Sequence, residues 1–258
     1  MNDAFVAAIN KYEATRLSAT IDVAGCSLTY AVPNSLCYWR VQSLTSKEPI
    51  TIDWLNSFVP GSAFLDVGAN VGMYSIYAGV VRRAIVYSFE PEAKNYAILC
   101  QNIELNLLGE RVVAWCAALS DQDVFDRIYL SGTRAGQSSH SFGEMVSPSL
   151  RPKEFKRSQG CYSTTIDALV ASGAILPPNH IKIDVDGLEH KVIRGAAMTL
   201  RNPALKSMLV EINANLNEHR WIVAHLETLG FTHDPEQFAR AQRTSGPFKG
   251  TGEYVFWR

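Results

Sequence analysis

The sequence predicts an α/β fold with a mostly parallel, doubly wound sheet, and three observations support this fold. From Ala63 onward, short apolar runs alternate with amphipathic stretches of helical length, as in strands joined by crossover helices. A glycine turn at residues 68–72 separates the first strand from the first helix. Acidic residues close several apolar runs, where the carboxyl ends of parallel strands form a binding edge.

Composition excludes several classes of protein. A chain of 258 residues suits one large domain, or one domain with an appendage, and a net charge of −1 argues against a nucleic-acid surface. Five scattered cysteines without a C-x-x-C pair favour reduced thiols and no zinc site. We also find neither a signal peptide nor a long apolar segment, so we expect a cytoplasmic protein without a transmembrane span.

Residues 1–60 are predicted to form an appendage, and residues 61–258 the main domain. In the appendage we expect a helix over 1–19, two strands over 21–32 and 36–44 that meet at Pro33–Asn34, and a helix over 48–59. In the main domain the predicted strands are 63–67, 84–90, 111–117, 126–130, 180–185 and 206–212, and the helices are 70–82, 92–107, 165–172, 188–200 and 217–229. The tail over 251–257 predicts an antiparallel edge strand.

The glycine turn indicates a nucleoside-cofactor site. Gly68 and Gly72 let the backbone approach a ligand closely, and a helix beginning near Asn70 would offer free N–H groups to an anion. Glu90 follows Gly72 by eighteen residues, a spacing at which an acid commonly accepts hydrogen bonds from a ribose. The turn lacks the third glycine of the dinucleotide fingerprint, which counts against NAD.

Two further regions carry charged residues. The segment 131–160 is a long polar loop with five basic and two acidic residues, a net charge of +3, which suits either a solvated linker or a lid over an anionic acceptor. In the strand ending near 185, alternation places Lys182, Asp184 and Asp186 on one side. Such charges are costly to bury unless they pair with an opposite charge or belong to a functional site.

The chain resembles the FkbM family of methyltransferases in four blocks that run in the family order. These blocks are FLDVGANVGMYS at 64–75, VYSFEPEAKNYAILCQNIELN at 86–106, CAALSD at 116–121 and IKIDVDGLEHKVIRGA at 181–196. The segments STTIDAL at 163–169 and LVEIN at 209–213 are also similar to the family. The family more often has Glu where this chain has Asp186.

The resemblance implies a Rossmann-like class I methyltransferase fold and methyl transfer from S-adenosylmethionine (SAM), usually to a hydroxyl oxygen. It implies that the turn holds the methionine end of SAM, that Asp66 fixes the loop or the ammonium, and that Glu90 binds the ribose. Adenine would lie between Pro91 and residues 116–118. The implied cofactor-binding residues are Asp66, Gly68, Asn70, Gly72, Glu90, Pro91, Cys116, Ala117 and Ala118.

Transfer to a hydroxyl calls for a base, and Asp184 is the first candidate because it ends a central strand. His140 and His190 are the reserve candidates. We expect a metal-free site; the alternative is a Mg²⁺ held by Asp184, Asp186 and Glu211, which Lys182 on the same face disfavours.

We expect O-methylation of a saccharide hydroxyl, in a glycan, polysaccharide or glycolipid, or of another secondary metabolite. The acceptor is a small molecule or glycan, with an anionic group favoured by the loop. The alternatives are an NAD-type oxidoreductase on the same architecture and a non-catalytic scaffold with the SAM fold.

Overall fold

A mostly parallel sheet organises the chain in the computed structural model, which describes residues 3–246 and 248–258. Among these residues no helix combines the length and apolar character needed to cross a bilayer. The helices are α1 (Asp3–Ala14), α2 (Ser35–Gln42), α3 (Pro49–Asn56), α4 (Met73–Val81), α5 (Ala93–Leu105), α6 (Ile166–Ala171), α7 (Glu189–Arg194), α8 (Asn217–Thr228) and α9 (Pro235–Ala241). The strands are β1 (Ser18–Val23), β2 (Cys26–Ala31), β3 (Ala63–Val67), β4 (Ile85–Phe89), β5 (Val112–Trp115), β6 (Ala118–Leu119), β7 (Val124–Tyr129), β8 (Ser141–Phe142), β9 (Ser158–Thr164), β10 (His180–Ile183), β11 (Ser207–Asn213), β12 (Thr232–His233) and β13 (Thr251–Trp257).

Within the described chain the main sheet has seven strands in the order β12-β13-β11-β10-β3-β4-β5. Strands β11, β10, β3, β4 and β5 run parallel to one another, and β13 is antiparallel to β11. The α/β fold with a mostly parallel sheet is therefore confirmed. The antiparallel strand also forms as predicted, with the two-residue β12 paired to its outer side. The strand order reverses at β3, where β10 lies on one side and β4 on the other, so a ligand site is expected there.

The sheet is buried on both faces, which explains why its central strands are apolar in sequence. Phe64 belongs to a hydrophobic cluster with α4 and α5, whereas its neighbour Leu65 belongs to a second cluster with β10 and β11. All five residues of β3 are buried. Each such leucine or phenylalanine contributes about 1.5–3 kcal/mol to folding when fully buried.

The N-terminal segment differs from the prediction in both expected strands. The stretch over 21–32 is not one strand, because a turn separates β1 from β2. Residues 1 and 2 of the expected helix over 1–19 lie outside the described residues, and the helix ends at Ala14. The expected strand over 36–44 is wrong, because this stretch contains helix α2. The side-chain oxygen of Asn34 accepts the N–H groups two and three residues later, at 2.9 and 3.0 Å, so Asn34 caps a helix instead of turning a hairpin. The hairpin turn is formed by Ala24 and Gly25, which both have positive φ angles. The division at residue 60 stays a prediction, and Leu28, Trp54 and other residues before it share the α4–α5 cluster.

The long polar segment over 131–160 is partly structured. It contains β8 and the first residues of β9, and in the described residues these strands join β6 and β7 in a four-stranded sheet of order β6-β9-β7-β8. This second sheet lies beside the carboxyl ends of the main strands and forms one wall of the cavity described next.

Candidate active site

A cavity of about 750 Å³ lies at the carboxyl ends of β3, β4, β10 and β11, at the point where the strand order reverses. Its walls come from the main sheet, the second sheet, and segments near both ends of the described chain. A cavity of this size accommodates a nucleoside cofactor together with part of a second substrate.

The glycine turn is organised by internal hydrogen bonds. The N–H groups of Gly68 and Ala69 donate to the Phe89 carbonyl, and the Gly72 N–H donates to the Ala69 carbonyl. The Asn70 N–H donates to Glu90, and the next N–H donates to the Asn70 side chain. The N–H groups of residues 68–72 are all used in these bonds, so the prediction that they are free to bind an anion was wrong. Helix α4 begins only at Met73, after the turn.

The two glycines are required by packing as well as by backbone conformation. Both have φ angles near +80°, in the left-handed region that favours glycine. A Cβ atom on Gly68 would lie 1.9 Å from the Asp184 carbonyl oxygen, and one on Gly72 would lie 2.4 Å from Leu99. Gly68 lines the cavity, whereas Gly72 is absent from the described lining residues.

Glu90 follows β4 and lines the cavity while it is almost fully buried. Its Oε2 accepts the Asn70 N–H at 2.8 Å, and its Oε1 accepts the Glu92 N–H at 2.9 Å. Burial raises the pKa of Glu90 to about 7, although these N–H donors favour the charged form. The carboxylate thus fixes the glycine turn and presents its remaining acceptor capacity to a ligand.

Small apolar residues line the same end of the cavity. Pro91, Ala117 and Ala118 are all at its surface, where they leave room for a flat ring. Cys116 is exposed and is absent from the described lining residues; its Sγ lies 3.8 Å from the Pro91 carbonyl oxygen.

Asp66 lies beneath the turn and does not line the main cavity among the described residues. It borders a smaller adjoining space of about 50 Å³. Its Oδ2 accepts the Ser75 hydroxyl at 2.5 Å, while its buried Oδ1 has no hydrogen-bond partner among the described residues. Burial raises the pKa of Asp66. Asp66 is thus bonded to helix α4, and its role in fixing the loop stays a prediction.

Asp184 and Lys182 form an ion pair at the end of β10, in which the lysine is buried and the aspartate side chain is 29% exposed. Lys182 Nζ lies 2.9 Å from Asp184 Oδ2, and the lysine side chain is 3% exposed. Burial acts to raise the pKa of Asp184, but the Lys182 ammonium outweighs burial and lowers it. Asp184 is therefore ionised at neutral pH, and it lines the cavity.

A carboxylate network extends from this pair toward the N-terminal segment. Buried Glu48 accepts the Tyr74 hydroxyl at 2.7 Å and pairs with Lys47. Burial acts to raise the pKa of Glu48, whereas Lys47 and Lys182 lower it, and the cations prevail. Lys47 also lines the main cavity.

The carboxylates that lie close enough to share a cation are not the three that the alternative prediction named. Asp186 accepts the Ser139 N–H at 2.7 Å, and burial together with Asp184 raises its pKa to about 8. Among the described residues, the carboxylates close enough to share a cation are those of Asp184, Glu189 and Glu211, within 4.8 Å of one another.

The two reserve histidines have different surroundings. His140 lines the cavity and is buried; its Nδ1 accepts the Ser131 N–H at 3.2 Å, so its proton lies on Nε2, which has no partner among the described residues. In this tautomer neither ring nitrogen is available as a base, because Nδ1 already accepts a hydrogen bond and Nε2 carries the proton. Burial lowers its pKa. His190 is buried in α7, 6.4 Å from the His219 ring, and is absent from the described lining residues.

Several lining residues were missed by sequence reasoning. Arg243 comes from the segment after α9, where its guanidinium lies 3.0 Å from Glu253 and 3.5 Å from Glu211. Lys47 was also missed, since neither lies in a recognisable motif. Of the five loop cations, Lys153 is the one that appears among the described lining residues.

The segment 134–139 of the polar loop borders the cavity beside the glycine turn. The Gln137 carbonyl accepts the side-chain amides of Asn70 and Asn95, at 2.9 and 3.0 Å. The Gly136 carbonyl accepts Arg40 Nε at 2.8 Å. The loop is therefore attached to the glycine turn, to α5 and to α2.

The family model described as "Methyltransferase FkbM domain" matches residues 66–234. A hexuronic acid methyltransferase, AglP, of Haloferax volcanii is 23% identical over 207 residues, which cover 80% of this chain and 79% of the relative. Among solved structures, precorrin-6y C5,15-methyltransferase of Geobacter metallireducens matches with a TM-score of 0.46 and 11% identity, over 84% of this chain and 91% of that one. M. jannaschii TYW2 in complex with AdoMet matches with a TM-score of 0.42 and 11% identity, over 95% and 88%.

Proposed function

The chain belongs to the FkbM methyltransferase family, and we propose that it transfers a methyl group from SAM to a hydroxyl oxygen of an acidic saccharide. The observation that carries this proposal is one cavity lined by both Glu90 and Asp184, the carboxylate of which pairs with buried Lys182. The first suits a nucleoside cofactor, and the second suits a hydroxyl that must lose its proton. An NAD-type oxidoreductase and a non-catalytic scaffold have no comparable support.

The cofactor end of the cavity suits SAM. Glu90 would accept the ribose hydroxyls, Pro91 and Ala117 would flank the adenine, and Gly68 and Asn70 would border the methionine portion. SAM supplies a methyl group that its sulfonium has already activated, so the protein must align the acceptor and accept a proton.

Asp184 is the proposed base. Its carboxylate is ionised at neutral pH because the Lys182 ammonium stabilises its charge. The main-chain N–H of Asp184 donates to the Val67 carbonyl at 3.0 Å, which fixes the residue beside the glycine turn. An acceptor hydroxyl beside this carboxylate would donate a hydrogen bond to it and release its proton to it as the oxygen is methylated.

The acidic character of the acceptor has two supports. The relative AglP is named for a hexuronic acid, a sugar that carries a carboxylate. In this chain Lys47 and Arg243 both line the cavity, and each side chain remains about one third exposed, at 35% and 33%. Their unused donors could bind a carboxylate of the acceptor.

The test is methyl transfer from labelled SAM to a panel of saccharides that includes matched acidic and neutral sugars. Asp184→Asn should retain binding of S-adenosylhomocysteine but lower turnover by about 10²–10⁴-fold, because an amide does not accept the proton. Asp123→Asn, which changes an exposed carboxylate before β7, is the matched control and should remain active. Normal turnover by Asp184→Asn would show that Asp184 is structural, and transfer to no saccharide would refute the acceptor class.

A further inference from the structure

We propose that Glu189 and His219 form a buried positioning pair that fixes the conformation of the loop bearing Asp184. This inference rests on the proposed function, because it takes Asp184 as the base. Neither Glu189 nor His219 is among the described residues that line the cavity. The pair would therefore act on turnover through the loop and not through contact with the acceptor.

The loop between β10 and α7 needs outside support to keep one conformation. It carries Asp184 at its start, and its next residues bend sharply. Asp186 has a φ angle of 59° and Gly187 one of 111°, both in regions that residues with side chains rarely adopt. A Cβ atom on Gly187 would lie 2.8 Å from the Pro148 carbonyl oxygen, so the loop is also packed closely against the polar segment.

Glu189 supplies two attachments to this loop. Its side chain is fully buried, and its Oε1 accepts the Val185 N–H at 2.9 Å and the Gly187 N–H at 3.2 Å. Val185 directly follows Asp184, so the first of these bonds fixes the backbone next to the proposed base. Hydrogen bonds to a buried carboxylate are stronger than those between neutral groups.

His219, on α8, completes the arrangement from the opposite side. Its Nε2 lies 3.0 Å from the Gly187 carbonyl oxygen and 3.1 Å from Glu189 Oε2. Its Nδ1 accepts the Asn213 N–H at 2.9 Å, so the ring proton lies on Nε2 and is donated to the Gly187 carbonyl. Glu189 Oε2 lies within ion-pair distance of the same nitrogen and accepts no hydrogen bond among the described residues. Because Asn213 ends β11, the imidazole links the end of that strand to the loop that follows β10.

The same carboxylate could instead serve a cation, since Asp184, Glu189 and Glu211 lie close together. The contacts of Glu189 favour positioning over metal binding. Its Oε1 already accepts two N–H groups, and its Oε2, which accepts no hydrogen bond among the described residues, lies 3.1 Å from the protonated Nε2 of His219. Lys182 occupies the neighbouring position beside Asp184, where its ammonium would repel a cation.

The experiment compares three variants of the full chain. His219→Phe removes both contacts at similar volume, and His219→Gln keeps a donor that can reach Glu189. His225→Phe is the matched control, because His225 lies on the same helix, stacked on Trp221 and absent from the described lining residues. We expect His219→Phe to lower kcat by about ten- to a hundredfold through misplacement of the base, with the KM for SAM unchanged within about twofold. His219→Gln should recover most of the loss, and His225→Phe should match the wild type.

A second measurement does not depend on activity. Hydrogen exchange of the Val185 and Gly187 amides should accelerate in His219→Phe but not in His219→Gln or His225→Phe. If the Val185 and Gly187 amides of His219→Phe exchange as slowly as in the wild type, the positioning pair is overturned whatever the activity. It is also overturned if His219→Phe loses affinity for the cofactor by the same factor as it loses kcat. Loss of wild-type turnover in EDTA that only Mg²⁺ restores would assign Glu189 to a metal site instead. If exchange accelerates but the wild type methylates no saccharide, the proposed function fails while the structural pair stands.

Discussion

Binding of S-adenosylhomocysteine should strengthen as the pH rises through about 7, because Glu90 must be ionised to accept both ribose hydroxyls. Burial raises the pKa of this carboxyl from 4.5 to about 7. A ligand that binds the ionised form therefore releases a proton wherever the unliganded protein still holds one.

The size of the effect follows from this pKa. With a pKa of about 7, roughly one tenth of the Glu90 side chains are ionised at pH 6 and roughly nine tenths at pH 8. The affinity should therefore rise about tenfold between these values, or about 1.4 kcal/mol. Isothermal titration calorimetry in two buffers of different ionisation enthalpy should detect release of nearly one proton per ligand at pH 6.

Stability of the unliganded protein should change in the opposite direction. The pKa of this carboxyl is higher in the folded than in the unfolded protein, so the folded state holds the proton more tightly. The protonated carboxyl therefore contributes its full stabilisation below about pH 4.5, and this stabilisation is lost as the pH rises through about 7. A rise to about 7 corresponds to roughly 3 kcal/mol. The unliganded Tm should therefore fall across this window while the shift caused by the ligand grows.

Two variants distinguish the titration of Glu90 from that of other groups. Glu90→Gln is neutral at every pH, so the affinity should become weak and independent of pH. It also places an amide opposite one N–H of the turn, at a cost of about 1–3 kcal/mol in stability. Glu104→Gln, on the exposed face of α5, removes the same charge and should behave as the wild type. Equal affinity of the wild type at pH 6 and pH 8, with no proton released, would refute the reasoning.

Three further predictions concern the site. Gly68→Ala should destabilise the protein by more than about 3 kcal/mol, and Gly61→Ala, whose φ angle is similar but whose surroundings are open, should cost only about 1 kcal/mol; chemical denaturation compares them, and equal costs would show that the approach to Asp184 is unimportant. Turnover should survive EDTA treatment and dialysis, because Lys182 neutralises Asp184 without a metal; dependence on added Mg²⁺ would contradict this. Hydrogen exchange in the segment 131–160 should slow when an acceptor binds, whereas equally fast exchange in both states would make it a linker.

The main sheet could be predicted from the sequence because its signals are local. Apolar strands, glycine turns and amphipathic helices recur from Ala63 onward, and their order determines a parallel sheet. Asn34 shows where local signals become ambiguous, since a Pro-Asn pair suits both a hairpin turn and the start of a helix. The choice depended on the packing of α2 against the core, through residues such as Cys37 and Val41.

The site could be predicted only in part. Glu90 and Asp184 end strands, so their convergence follows from topology, and both line the cavity. Lys47 and Arg243 lie far from any motif, and they reach the cavity through tertiary contacts that periodicity does not encode. Glu189 lies within the motif after β10, but its two bonds to the loop depend on the left-handed conformation of Asp186, which sequence patterns do not reveal.

The residues that line the cavity come from two parts of the chain, one inside and one outside the region that matches the family model. The proposed cofactor contacts lie within residues 66–234, the region that matches the family. Lys47 and Arg243 lie outside it, one on each side along the chain. Under the proposed function, substitution in these flanking segments should alter which acceptor binds while the proposed cofactor contacts stay unchanged. Exchanging the segments around Lys47 and Arg243 between relatives would test whether they set the acceptor preference.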